Sequence, residues 1–161
     1  MTQWNAFFAG ELGAAAALAG LLFVAVSVNQ ARILSLGRMA DRGIEALVML
    51  LLVVVVASLP LIPGQSFRLL GVEVLAVSLT VLIGLVPLQR AYLREVEAIH
   101  RPRSALMVWV NRATIMVFGL AGLVLAWRSD GAGVYILPPA ILLSFAAVGA
   151  NAWVLLIEIN R

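Results

Sequence analysis

Five long apolar stretches dominate this sequence, and each is long enough to cross a lipid bilayer. They cover roughly residues 5–28, 44–62, 69–88, 105–127 and 133–157. A hydrocarbon core of about 30 Å requires about 20 apolar residues in a helix, so each stretch predicts one transmembrane helix. The sequence therefore predicts an all-α polytopic membrane protein, in which residues 1–161 form a single bundle of five helices.

Composition and chain-breaking residues agree with these limits. The chain is 63% hydrophobic and only 12% charged, whereas an average soluble domain is about half apolar and about a quarter charged. Helix-breaking residues mark the predicted ends. Pro60, Pro63 and Gly64 end the second span, and Pro87 ends the third. Pro102 with Ser104 as N-cap begins the fourth span. Pro138 and Pro139 fall in the first turns of the fifth, where proline is well tolerated.

The arginine residues predict an orientation. All eleven basic residues are arginines, and eight fall on one side if the five spans alternate. Those eight are Arg32, Arg38, Arg42, Arg90, Arg94, Arg101, Arg103 and Arg161. The other side carries only Arg68 and Arg128. The positive-inside rule then places the N-terminus outside and the C-terminus in the cytoplasm. The first span lacks a basic residue before Arg32, so we expect a membrane span rather than a signal peptide.

The largest extramembrane segment is predicted at residues 89–103. Leu93, Val96 and Ile99 fall near one helical face, and Glu97 precedes Arg101 by four residues. We expect either a cytoplasmic continuation of the third span or a short interfacial helix. A solvated linker helix is favoured over a partner-docking site.

Two carboxylates lie within the predicted outer leaflet. Glu11 follows Trp4 by seven residues and Glu73 follows Arg68 by five, which places them about 10 Å and about 7 Å below the outer interface. An ionisable group inside a membrane is costly and is usually paired or functional. The pair forms a candidate ion or proton site. The alternative is that each carboxylate reaches water at the interface.

A stripe of small residues lies on the first span. Gly13, Ala17 and Gly20 share one side of the helix, and such a stripe lets two membrane helices approach closely. Glu11 is about 200° away from Gly13 around the helix, so we expect the carboxylate to point away from this stripe.

Polar residues near the predicted cytoplasmic end form a candidate inner gate. The fifth span carries three at intervals of seven, and the fourth span offers possible partners. These residues are Ser144, Asn151, Glu158, Asn111, Arg112 and Thr114. We expect Arg112 to pair with Glu158 or Glu45. A structural clamp between helices is favoured over a water-filled vestibule.

The sequence offers little for catalysis. The absence of cysteine excludes thiolate sites, and the single histidine, His100, excludes a multi-histidine metal site within one chain. We predict no metal and no cofactor. Nucleic acid is not an expected partner either, because the arginines lie in short loops rather than on one face of a domain.

Two stretches carry a resemblance to a known family. "GAAAALAGLLFVAVSVNQARIL" in the first span and "NAWVLLIEINR" at the end resemble a largely uncharacterised family of small bacterial inner-membrane proteins. Some members are described as modulators of a membrane-bound AAA protease. The resemblance covers about 35 residues of low complexity. It implies a bacterial inner-membrane location and supplies no catalytic residues.

Two functions remain open at this point. The first is a homo-oligomeric channel or transport protein for cations or protons, since a bundle with so little internal polarity encloses no hydrated path alone. The second is a non-catalytic accessory or regulatory subunit of a larger membrane complex, such as a membrane protease. It would bind its partner through the small-residue side of the first span or through the arginine-rich cytoplasmic loop. Membrane lipids, self-association and a larger membrane partner are the expected contacts.

Overall fold

The chain folds into a bundle of helices. The computed structural model describes residues 2–35, 39–96 and 101–157, and every regular element within them is helical. The helices are α1 (Asn5–Val28), α2 (Gln30–Ser35), α3 (Met39–Ser58), α4 (Phe67–Glu95), α5 (Arg101–Arg128) and α6 (Leu137–Ile157). Short 3-10 turns cover Thr2–Trp4, Leu59–Leu61 and Ala132–Ile136. Apart from α2, each helix contains a segment long and apolar enough to cross a membrane, so the predicted five apolar helices are confirmed.

Two of the predicted helix ends are confirmed. The helix α3 ends at Ser58, and a 3-10 turn with Pro60 follows before Gly64, whose φ of 73° suits a residue without a Cβ. Pro138 and Pro139 lie in the first turn of α6. There the missing proline N–H would have no partner within the helix in any case.

The predicted ends at Pro87 and Ser104 are wrong. The helix α4 continues through Pro87 to Glu95, so the expected continuation of the third span is confirmed for residues 89–95. An internal proline costs about 3 kcal/mol. The continuation carries Gln89 and Tyr92, which are buried and hydrogen-bonded to residues of other helices. Ser104 lies inside α5 instead of capping it, and its Oγ is 3.0 Å from the Tyr92 hydroxyl oxygen.

The long helices alternate in direction, and contacts at both ends of the bundle show this. At one end, the Trp4 ring lies 5.1 Å from the Tyr135 ring in an edge-to-face contact. At the other end, Arg42 of α3 contacts Asn151 of α6. We call these the Trp4 end and the arginine-rich end. The orientation of the two ends relative to a membrane stays a prediction.

Exposed aromatic side chains lie at two levels along the bundle. Trp109 and Trp127 of α5 are both exposed and are eighteen positions apart. At 1.5 Å per residue, this separation corresponds to about 27 Å, close to the thickness of a bilayer core. Tyr135 and Trp153 repeat the arrangement across α6. Such belts are typical of membrane–water interfaces.

The helices differ strongly in how closely they pack. The most extensive contact joins α4 to α5, where Gly71 and Gly122 bring the two backbones together. A Cβ on Gly122 would lie only 2.6 Å from the Leu75 backbone nitrogen. The helix α3 is central and packs on α1, α4 and α6. In contrast, α1 is the least buried of the five long helices.

Candidate functional sites: an inner polar network and an outward helix face

Polar side chains from four helices meet at the arginine-rich end. We call them the polar network: Arg42 and Glu45 of α3, Gln89 of α4, Asn111 and Arg112 of α5, and Asn151 of α6. Glu45 is only 6% exposed, and the three amide side chains are almost completely buried. Polar groups in such a position are stable only when they are hydrogen-bonded, so their partners decide what the network does.

Glu45 is the acceptor at the centre of the network. Its Oε1 atom accepts a hydrogen bond of 2.8 Å from Asn111 Nδ2 and a second one from Gln89 Nε2. The carboxylate therefore joins α3 to α4 and α5 at one point. Hydrogen bonds to a charged acceptor are stronger than those between neutral groups.

The two arginines bind different amide side chains. Arg112 Nε donates a hydrogen bond of 2.7 Å to Gln89 Oε1, so the Gln89 amide links Arg112 to Glu45. Arg42 Nη2 donates one of 2.9 Å to Asn151 Oδ1, which attaches α6. Both guanidinium groups lie within 6 Å of an aromatic ring centre, Arg42 at Tyr92 and Arg112 at Trp109. These distances are those of cation–π contacts.

The network contains polar atoms that its described members do not satisfy. Two buried donor atoms, Arg112 Nη2 and Asn151 Nδ2, have no hydrogen-bond partner among the described residues. The buried acceptor Asn111 Oδ1 is in the same condition within that part of the chain. The geometry favours a structural clamp that joins four helices. Its two donor atoms, unpaired within the described residues, leave it able to bind one additional hydrogen-bond acceptor.

The predicted inner gate is brought together only in part. Asn111, Arg112 and Asn151 belong to the network. Ser144 and Thr114 are buried, but each hydroxyl donates to a backbone carbonyl of its own helix. Glu158 lies outside the described residues. The predicted pairing of Arg112 with Glu45 is indirect, because Gln89 lies between them.

Sequence reasoning missed two members of the network. Gln89 was assigned to the loop after Pro87, and Arg42 was counted only as a loop charge. One signal was available for Gln89: it follows the apolar residue Leu82 by seven positions, so it continues one face of α4.

Glu11 and Glu73, the two carboxylates predicted for the outer leaflet, are not joined to each other within the described residues. Glu73 accepts a hydrogen bond from Gln65 Nε2 in the preceding turn. Glu11 is partly exposed and has no hydrogen-bond partner among the described residues. Their helices pack mainly on different neighbours, α1 on α3 and α4 on α5. The structure therefore supports two separate carboxylates at the Trp4 end, and their predicted role in ion or proton binding stays a prediction.

The predicted packing stripe faces outward. Gly13, Ala17 and Gly20 are exposed, and a Cβ at either glycine would meet no atom within 4 Å. The predicted role of this stripe in helix packing stays a prediction, since no helix of the same chain covers it within the described residues. The reason is that α1 packs through its opposite side, where Phe8, Ala15 and Leu22 recur every seven residues. The close helix contact is made by Gly71 and Gly122 instead.

The outward stripe is longer than the sequence analysis recognised. Small exposed residues recur along α1 at alternating intervals of four and three. We call them the small-residue face: Ala6, Gly10, Gly13, Ala17 and Gly20. Glu11 lies about 140° from the centre of this face and flanks the buried side of α1. Its predicted separation from the stripe is confirmed.

The surface also has two apolar grooves. One lies between α4 and α5 and has a volume of about 310 Å³. The other lies between α1, α3 and α6 and has a volume of about 230 Å³. Neither groove is lined by Glu11 or Glu73.

Metal ligands and relatives give no further direction. Within residues 2–35, 39–96 and 101–157, no group of three or more histidine and acidic side chains is placed to hold a metal ion. No known protein family, curated protein or solved structure matches the chain. The functional argument therefore rests on the geometry of these sites.

Proposed function

We propose that this chain is a non-catalytic, multi-pass membrane protein that binds a transmembrane helix through the small-residue face of α1. The observation that carries the proposal is the outward position of that face, directly opposite the side through which α1 packs on the bundle. The chain would then act as an accessory or regulatory subunit in the bacterial inner membrane.

The spacing of the face supports helix binding. Residues at alternating intervals of four and three form the contact line of two helices that cross at a small angle. Glycine and alanine on that line let the backbones approach closely, and such contacts drive association in lipid. Lipid tails alone gain little from a flat strip of small residues, whereas a second helix gains van der Waals contact.

The polar network supports the same function in a different way. Its hydrogen bonds connect α3, α4, α5 and α6, which leaves α1 attached mainly through apolar side chains. The four connected helices form a rigid platform. The partner in this proposal is a larger membrane protein, in line with the resemblance to modulators of a membrane protease.

The proposal is tested by native mass spectrometry of the protein released from host membranes in mild detergent. We expect the wild-type protein to carry one partner at a fixed stoichiometry. Gly13→Leu should abolish that complex, because the side chain fills the contact line. Gly84→Leu is the matched control on α4, where a Cβ also meets no atom within 4 Å.

The outcomes are distinct. Loss of the partner in Gly13→Leu alone supports the proposal. An equal amount of complex in both variants contradicts it, and so does a wild-type protein that is released alone. Closed rings of identical chains would instead favour transport.

Transport of cations or protons is the second candidate function. It is favoured by Glu11, which is partly exposed and has no hydrogen-bond partner within the described chain. Because one chain is filled by side chains, a path would require several copies. Glu11→Gln should then lower cation or proton flux in liposomes, with Glu73→Gln as the comparison. Unchanged flux in Glu11→Gln would exclude this role.

A further inference from the structure

The larger apolar groove runs along the outer surface of α4 and α5. Its lining includes Leu79 and Leu82 of α4 and Met116, Gly119, Leu120 and Leu123 of α5. Most of these side chains are partly or largely exposed. The hydroxyl of Ser78, also in the lining, donates to the Val74 carbonyl of its own helix and so offers no free donor. The groove is therefore suited to a hydrocarbon chain.

On the arginine-rich side, the line of the groove continues to a hydrogen-bonded pair, the cationic Arg112 and the neutral Gln89. Arg112 precedes Met116 by four residues and Gly119 by seven, so it continues the α5 side of the groove. Gln89 follows Leu82 by seven residues and continues the α4 side. The 2.7 Å hydrogen bond from Arg112 Nε to Gln89 Oε1 joins the two helices at this point.

The Arg112 guanidinium is only partly satisfied by the described residues. Arg112 Nη2 has no hydrogen-bond partner among the described residues, although Nε of the same group is bound. An added anion would meet a cationic guanidinium group whose buried Nη2 is unpaired within the described part of the chain. Arginine binds phosphate oxygens with two parallel donors, a geometry that lysine does not offer.

The level of Arg112 matches that of a lipid headgroup. The guanidinium carbon lies 5.6 Å from the centre of the Trp109 ring, and Trp109 is one of the exposed aromatic residues of the arginine-rich end. Such tryptophans lie at the boundary between hydrocarbon and headgroups. A long arginine side chain at this level can reach the phosphate region.

We infer that the groove between α4 and α5 binds one anionic phospholipid, with an acyl chain along the groove and its phosphate at the Arg112 guanidinium. A phospholipid fits better than a free anion, because only a lipid uses the apolar groove and the charge together. Basic pockets between helices at the cytoplasmic side of membranes are suited to anionic headgroups. The inference does not depend on a partner at α1, because the groove lies on α4 and α5.

Native mass spectrometry of the purified full-length chain in mild detergent tests this site. The probes are phosphatidylglycerol and phosphatidylcholine, added separately at equal concentration. We expect one retained phosphatidylglycerol molecule and weaker retention of phosphatidylcholine. Arg112→Gln should weaken phosphatidylglycerol binding about fivefold and leave phosphatidylcholine unchanged. Arg128→Gln, at the other end of α5, is the matched control and should change neither.

A second variant keeps the test independent of the polar network. Gly119→Leu places a side chain in the groove, while its Cβ makes only ordinary contacts of 3.9 Å with Leu75 and Ser78. It should reduce the binding of both lipids. Equal retention of the two lipids in the wild type, or full retention in Gly119→Leu, would overturn the inference. Displacement of the lipid by inorganic phosphate would also overturn it, because a free anion would then be the ligand.

Discussion

Arg42 on α3 donates a hydrogen bond of 2.9 Å from Nη2 to Oδ1 of Asn151 on α6. The two residues are 109 positions apart in the sequence, and both are at least nine-tenths buried. This contact closes the arginine-rich end, since it joins the last helix to the central one. Its strength should therefore be measurable as a coupling between the two side chains.

A double-mutant cycle on this pair should show that coupling. We expect Arg42→Met and Asn151→Leu each to lower the free energy of unfolding by about 1–3 kcal/mol, because each leaves a buried polar partner unsatisfied. The double variant should lose less than the sum, by about 1 kcal/mol or more. Unfolding in mixed micelles measures all four proteins. Simple additivity of the two losses would show that the contact contributes nothing.

Removing the central acceptor should cost more than removing an exposed carboxylate. Glu45→Ala leaves Asn111 Nδ2 and Gln89 Nε2 without their acceptor in a buried position, so we expect a loss of about 2–4 kcal/mol. Asp130→Asn is the control, because the Asp130 side chain is 45% exposed and its ion pair with Arg128 lies at the surface. The same unfolding assay should give clearly different free energies of unfolding for the two variants. Equal stability of the two variants would contradict the central role of Glu45.

Substitution of alanine for two different glycines of α4 should change the stability of the protein in opposite directions. A Cβ at Gly71 would lie 2.6 Å from the Gly122 carbonyl oxygen, so Gly71→Ala must push α4 and α5 apart. We expect a loss of about 1–3 kcal/mol. Gly84→Ala meets no atom within 4 Å and should be neutral or stabilising by up to about 1 kcal/mol, owing to helix propensity. Thermal unfolding followed by circular dichroism distinguishes them, and a loss in Gly84→Ala that matched Gly71→Ala would contradict the packing.

The turn before α6 should weaken in acid. The Asp130 carboxylate accepts hydrogen bonds from the Ala132 N–H and from the Arg128 guanidinium. The Ala132 bond has the larger effect, and together the two bonds lower the pKa of Asp130 below the ordinary 3.8. A lowered pKa in the folded state means that the stabilisation is present above pH 3.8 and is lost as the pH falls through the folded-state value. The difference in unfolding midpoint between the wild type and Asp130→Asn should therefore be constant from pH 5 to 7 and shrink below about pH 4. A constant difference down to pH 2 would contradict this account.

The helices could be predicted from sequence because the signal is summed over about 20 residues. The end of α4 could not be predicted in the same way. Pro87 is a local signal, whereas the burial of Gln89 and Tyr92 beyond it depends on contacts with α3 and α5. Asn111, Arg112 and Asn151 were identified because polar residues are conspicuous in apolar spans. Their partners depend on how the helices rotate.

The rotation of the helices also explains why the outward position of the small-residue stripe could not be predicted. The stripe at Gly13 and the pair Gly71 and Gly122 are composed of the same residue type, and sequence alone does not say which one faces protein. Only the arrangement of the bundle places the first outward and the second inside. The separation of Glu11 from its stripe could be predicted, since both lie on one helix and the angle is fixed by helical geometry.

Site-specific photo-crosslinking tests the proposed role of α1 most directly. The chain has no native cysteine, so a single introduced cysteine can carry a thiol-reactive benzophenone. Ala17→Cys places the probe on the small-residue face, and Leu18→Cys places it on the neighbouring exposed surface of the same helix. In host membranes, the Ala17 probe should give one discrete protein adduct that the Leu18 probe does not give. Equal adducts from both positions, or adducts with lipid alone, would contradict a helix-binding face on α1.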